Sequence, residues 1–387
     1  MAIITISNTG GNWNATTAWV GGVIPTALDD VVSTITSGPL TLNTSTAVAK
    51  SVNFTNYTNI FSLTVANGVI RLSGDLTLST GMTITGTLGY LVFLTNATWT
   101  SNGKTWTGNY TVEGVSLTIN LGDDAIIGGL TTHTTVGATH TINGFSLSMK
   151  GNITASSGRV FAGTTVYKIA TATTQAVSGT FQSDLTIVAS GTVTLTSIIF
   201  SPTTNKTLTY TSGIIPPGTG TLTLTPTSVF IVTLNTGGMT WNNVTLPNQA
   251  STIILNSIFT VGGTATSSQS IIYLGTSGFD YYNWTSSINN TRTWTLVSGV
   301  SYRIRNSMLC IGGASVATKN AFVSSIPGSQ AILTVDQGST LDLQYLYATD
   351  IDSSLGRTIW SYKGVLSNTL NWKNLPTNGP GTISYSS

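Results

Sequence analysis

The chain has 387 residues, 40% of them apolar and only 7% charged, against about 25% charged in an ordinary globular chain. Fourteen Lys and Arg against twelve Asp and Glu give a net charge of +2 at pH 7, which leaves no basic patch for phosphates and argues against nucleic-acid binding. The apolar fraction argues against disorder, so the surface must be a neutral one of hydroxyls and amides. The opening MAIITISNTGG has no basic segment, and its apolar run is interrupted by Thr5 and Ser7, so a signal peptide is not expected. No run of about 18 apolar residues suggests a membrane span. Sequons begin at Asn14, Asn53, Asn96 and Asn152, but several fall in expected strands, where a glycan would block packing.

Residues 1–35 stand apart. Gly11-Asn12-Trp13 is followed by Trp19, then Gly21-Gly22-Val23-Ile24-Pro25, then Asp29-Asp30-Val31-Val32. This order resembles the start of many bacterial-surface and phage β-helix proteins. The resemblance implies a cap in which Trp13 and Trp19 plug the open end of a first coil, where an unpaired edge would invite aggregation. Asp29 or Asp30 would accept backbone N–H groups at the turn. Stacking of the two Trp rings on sugars is the alternative.

From 36 to 211 short triplets alternate apolar and polar: Leu40-Thr41-Leu42, Leu76-Thr77-Leu78, Leu117-Thr118-Ile119 and Leu185-Thr186-Ile187. Period two reads as strand. Turn signals such as Asn67-Gly68, Ser73-Gly74 and Thr80-Gly81 separate them. Asn102-Gly103 and Trp106 return 41 residues later as Asn143-Gly144 and Leu147, and Asn109 returns 43 residues later as Asn152. This degenerate repeat of strands and turns, with no helical stripe between, predicts an all-β right-handed parallel β-helix. At about 20–25 residues per coil it would have roughly 15 coils.

Pro216-Pro217-Gly218 and Pro226 mark 212–228 as a loop or junction, since Pro cannot donate to a ladder. A second solenoid segment is expected over 229–345. It holds the aromatics Tyr281, Tyr282, Trp284 and Trp294 and the cations Arg292, Arg303 and Arg305. The four aromatics are candidates for stacking on glycans; filling wider coils or a subunit contact is the alternative. Residues 346–387 are expected to close the fold. Asp350-Ile351-Asp352-Ser353, Trp360 and Asn371-Trp372 resemble the last coil of phage β-helix chains, with Trp360 and Trp372 as capping residues.

No catalytic constellation is found. Neighbours on a strand face opposite ways, so Asp29-Asp30 and Asp123-Asp124 are read as turn caps rather than catalytic pairs. Asp350 and Asp352 lack the further acids of a calcium loop. His133 and His140 lack the third ligand that zinc requires, and Cys310 reads as a small core residue. No cofactor or metal is expected. Thr-x-Thr runs wander in spacing, which argues against a flat ice-binding ladder. The resemblance implies a non-enzymatic virion structural protein of a bacteriophage: a tail fibre, spike or capsid decoration that contacts other virion proteins and host glycans and forms a homo-oligomer, a trimer by analogy with phage spikes. A bacterial surface adhesin and a polysaccharide-degrading β-helix are the alternatives.

Overall fold

A triplet such as Leu76-Thr77-Leu78 can bury its aliphatic pair only if the strand lies flat on a core, leaving the central hydroxyl outside. Stacking such strands in parallel, each turn on the last, buries one face of all of them. The computed structural model describes residues 1–66, 68–113, 116–133, 139–155, 159–216, 220–225, 231–236, 239–246, 251–267, 269–287, 292–311 and 319–375. It is 58% strand and 2% helix, a β-solenoid of about 14 turns. The ladders among the described residues are parallel. The chain divides into two compact units, Met1–Thr194 with Ser212–Ile214, and Leu195–Thr211 with Ile215–Ser387.

In the first unit one ladder runs from Ile3–Thr5 through Asp30–Val32, Ser51–Asn53 and Leu76–Thr77 to Ala97–Thr100, Ser116–Leu121, Thr139–Asn143 and Val160–Gly163. On a second face Ile70, Leu91, Tyr110, Thr131, Ile153 and Val177 stack in register, and all are buried. The next residue along gives the column Arg71, Val92, Thr111, Thr132, Thr154 and Ser178, in which Val92 and Thr111 are buried and the others partly or fully exposed. Each fully buried aliphatic side chain contributes about 1.5–3 kcal/mol. Two turns here span 43 residues, since Thr111 pairs with Thr132 and Thr132 with Thr154, so the repeat markers Asn109 and Asn152 lie two turns apart.

In the second unit a ladder runs from 206–209 through Ile231–Asn235, Ser251–Leu255, Ile271–Gly275, Thr293–Leu296 and Asn320–Ser324 to Leu346–Thr349 and Val365–Ser367. Ile271, Trp294, Phe322 and Ala348 form one inward column. Within the Pro-rich segment, residues 217–219 and 226–230 lie outside the described residues, Pro217, Gly218 and Pro226 among them. Thr221–Leu224 is a strand with Leu222 and Leu224 buried, so the segment is not a loop throughout: two leucines on one face outweigh the flanking prolines.

Asn side chains tie one turn to the next. Asn96, Asn109, Asn152 and Asn243 accept the N–H groups of Thr118, Leu130, Ala176 and Thr264 at 2.8–2.9 Å. These amides take over where the strand ladder stops and satisfy backbone groups that would otherwise be orphaned. Gly163 ends a strand at φ 114, and a Cβ there would lie 1.9 Å from the Ile142 carbonyl oxygen. Only glycine fits so close an approach.

Candidate functional site

The acids come first, because hydrolysis of a glycan needs two facing carboxyl groups. Asp29 accepts the N–H groups of Ala2 at 2.8 Å and Thr26 at 3.0 Å, and the Thr26 hydroxyl at 2.6 Å. Asp30 takes the Ser51 hydroxyl at 2.5 Å. Asp123 accepts the Ser101 N–H at 2.6 Å, while Asp124 accepts both the N–H and the hydroxyl of Ser146. The Thr26 hydroxyl holds the Asp29 carboxyl below its usual range, and the Ser146 N–H does the same for Asp124. A carboxylate tuned down by donors is a turn staple; a general acid needs its pKa raised. Asp350 is buried and accepts the Gly328 N–H and the Asn368 amide, and Asp352 accepts the Ser354 N–H. Among the described residues no three His, Cys, Asp or Glu side chains gather as a metal site.

His140 is buried, with its Nε2 2.7 Å from the Tyr110 hydroxyl; the side chain of His133 lies outside the described residues. Burial pushes the Cys310 thiol up to about 12, offset in part by the Asn320 amide. Such a thiol is inert at neutral pH.

The expected glycan-stacking cluster is corrected by the fold. Tyr281, Trp284 and Trp294 are each 0% exposed, and a ring with no accessible face cannot meet a sugar. They pack inside: Tyr281 stacks on Phe279 at 4.2 Å, and Trp284 meets Trp294 edge-on at 5.6 Å. Tyr282 alone points out, 41% exposed. It sits at a bulge where the register shifts between Tyr281 and Asn283. Beside it lies a neutral square of charges. Arg303 donates to both oxygens of Asp336 at 2.9 and 2.7 Å. Arg305 Nε lies 2.8 Å from Asp280 Oδ1, close enough for an ion pair although the N–H is not aimed at the oxygen. The Arg305 guanidinium also lies 5.8 Å from the Tyr282 ring centre.

The terminal aromatics have separate environments. Trp13 and Trp19 are buried and meet edge-on at 5.0 Å, and Trp19 Nε1 donates to the Trp13 carbonyl at 2.9 Å. Ser7 N–H donates to the Ala18 carbonyl, and Ile6 bridges Trp19 in antiparallel sense. Ala18 and Trp19 thus lie against Ile6 and Ser7, just past the Ile3–Thr5 strand that pairs with Asp30–Val32. In the second unit Trp372 Nε1 donates to the Ser353 hydroxyl at 2.8 Å, and the Asn371 amide donates to the Ser353 and Gly356 carbonyls. The Asn-Trp pair and the Asp-x-Asp-Ser turn are therefore one hydrogen-bonded unit. Trp360 is half-buried on the strand Ile359–Ser361.

A group that sequence reasoning did not assemble lies on these last turns. Lys363 Nζ sits 5.6 Å from the Tyr345 ring centre and 5.2 Å from that of Tyr362. Lys319 Nζ lies 5.2 Å from the Tyr347 ring, and Lys373 Nζ 5.3 Å from Trp360. Each such contact is worth about 0.5–1 kcal/mol at an exposed site. Among the described residues none of these three ammonium groups has a carboxylate within ion-pair distance, whereas Arg71, Arg303 and Arg305 are all paired with acids. Tyr345 and Lys363 have φ of 51° and 50°, a left-handed corner that Gly or Asn would take more cheaply. The period-two pairs Tyr345, Tyr347 and Trp360, Tyr362 were a signal. Their juxtaposition needed the register Tyr347 to Val365 and Gln344 to Tyr362, which irregular turn lengths conceal.

No family model, no curated protein and no solved structure matches the chain.

Proposed function

We propose that the chain is a non-enzymatic structural protein of a bacteriophage particle, a fibre, spike or decoration, that presents a neutral solenoid surface to host glycans. The observation that carries this reading is the use of the carboxylates. The paired acids of the sequence are engaged by backbone N–H groups and hydroxyls of neighbouring turns, so they serve the coil. Trp13 with Trp19, and Trp372 with its turn, act as caps that keep the two ends from pairing with other chains. Trp360 contributes its exposed side to the surface rather than to the cap. Self-association, as a trimer by analogy with phage spikes, would place several copies of the surface together and raise avidity without new contacts.

The test is to locate the chain. A gold-labelled antibody against the recombinant protein should decorate virus particles in electron micrographs of the producing culture. Label confined to the envelope of intact bacteria would replace this reading with that of an adhesin. Release of reducing ends from a bacterial polysaccharide by the purified chain would overturn the non-enzymatic part.

A further inference from the structure

Three exposed features invite a ligand: the Tyr282 bulge, the apolar residues around Met1, Ile3 and Leu28, and the lysine–aromatic corner. At the bulge the two Arg side chains already have their acids. Nothing in the structure shows what covers the apolar end. The corner differs, because among the described residues its cations have no carboxylate within ion-pair distance and its rings are only partly covered.

We infer that the corner formed by Tyr345, Tyr362, Lys363, Trp360 and Lys373 binds a carboxylate-bearing saccharide, such as a uronic-acid residue of a surface polysaccharide. This deepens the glycan-contact reading and rests on it. Trp360 and Tyr362 are two residues apart on one chain segment, flank the buried Ser361 and are both half-exposed. Lys373 is the register partner of Trp360, and Lys363 is exposed between the Tyr345 and Tyr362 rings, which meet edge-on at 5.9 Å. Rings of this kind offer an apolar face to the C–H side of a pyranose. The ammonium groups of Lys363 and Lys373, 5.2 and 5.3 Å from the Tyr362 and Trp360 ring centres, would meet its carboxylate. Lys319 adds a further cation on the Tyr347 side: it is only 6% exposed, and its ammonium rests on that ring. The nearest acid along the neighbouring strand, Asp342, accepts the Gln344 amide at 2.9 Å and forms no ion pair with these lysines.

The backbone supports a purpose for this arrangement. A lysine held at φ 50 forgoes the ease that Gly or Asn would have there. The side chain it projects therefore has a role beyond turning the corner. It also supplies a safe variant: Lys363→Asn suits the left-handed backbone and removes only the cation.

The experiment uses the full chain and three polymers: polygalacturonate, neutral dextran and poly-glutamate. Binding is followed by calorimetry at low salt. The expected result is binding to polygalacturonate, no binding to dextran, and poly-glutamate at least tenfold weaker. Lys363→Asn and Lys373→Gln should each weaken polygalacturonate tenfold or more, with circular dichroism and melting temperature unchanged or improved. Lys50→Gln, on the first unit, should bind as the parent does. Equal binding of poly-glutamate would reduce the site to bare charge and overturn the inference, as would unchanged affinity in both corner variants or no polygalacturonate binding at all. Particle labelling is scored separately, so a failed corner leaves the structural reading standing on its own test.

Discussion

At the scale of the residue, availability to a partner follows from parity along a strand. Tyr281 and Tyr282 are neighbours of similar chemistry, yet one is fully buried and the other 41% exposed. Past the register shift at Tyr282 the alternation restarts with Trp284 inside, beside Trp294 and Phe322. Trp284→Ala should therefore cost about 3–5 kcal/mol, the usual penalty for emptying an aromatic core site, while Tyr282→Ala should stay within about 0.5 kcal/mol, as surface changes do. Denaturant unfolding of the two variants checks this, and equal costs would contradict the inward assignment. Composition identified the aromatics as the residues of interest. It did not say which face each took, because Asp280 to Trp284 crosses a bulge that resets the alternation, and a bulge leaves no mark in composition.

At the scale of the element, turns are held by side chains that reach one coil onward. Asn109 and Asn152, singled out in the sequence as repeat markers, accept N–H groups from the following turn, so the repeat was legible because its turns need a short acceptor there. Asp124 does the same work with charge for Ser146, while Asp29 reaches back to Ala2, and both carboxyls lie below the ordinary 3.8. A folded-state pKa depressed in this way gives stability that is complete above the unfolded value and is lost as pH falls through the folded one. Melting temperature followed downward from pH 5 should begin to fall near 3.8, and Asp124→Ala should fall less steeply over the same window while starting lower at pH 5. A variant with the parent's full acid dependence would remove Asp124 from that account. The Asp124 carboxylate is exposed, so solvent screening keeps its effect small.

At the scale of the molecule, the architecture was readable because it repeats: Leu-x-Leu triplets, hydroxyls between them and the absence of a helical stripe all impose the same stacked solution. The site was not, because it depends on which residues of successive turns come into register, and turn length varies along the chain. Tyr90 pairs with Asn109, whereas Tyr302 pairs with Leu333. The lysine–aromatic corner arises from that irregularity. The Trp pairs at the two ends were legible as motifs, and the Asn371-Trp372 link to Ser353 gives one of them a physical basis. Register is thus the property on which the core, the outward columns and the corner all depend. Cysteine pairs placed on outward partners test it in each unit: Thr132→Cys with Thr154→Cys, and Thr295→Cys with Val323→Cys, which are register neighbours on adjacent turns. Parallel strands in register bring such pairs within disulfide reach, so mild oxidation should close both bridges within one chain, seen by mass spectrometry after digestion, while the shifted pair Thr132→Cys with Ser178→Cys, two turns apart, should stay reduced. Ready closure of the shifted pair, or failure of the in-register pairs in a folded chain, would contradict the stacked parallel solenoid.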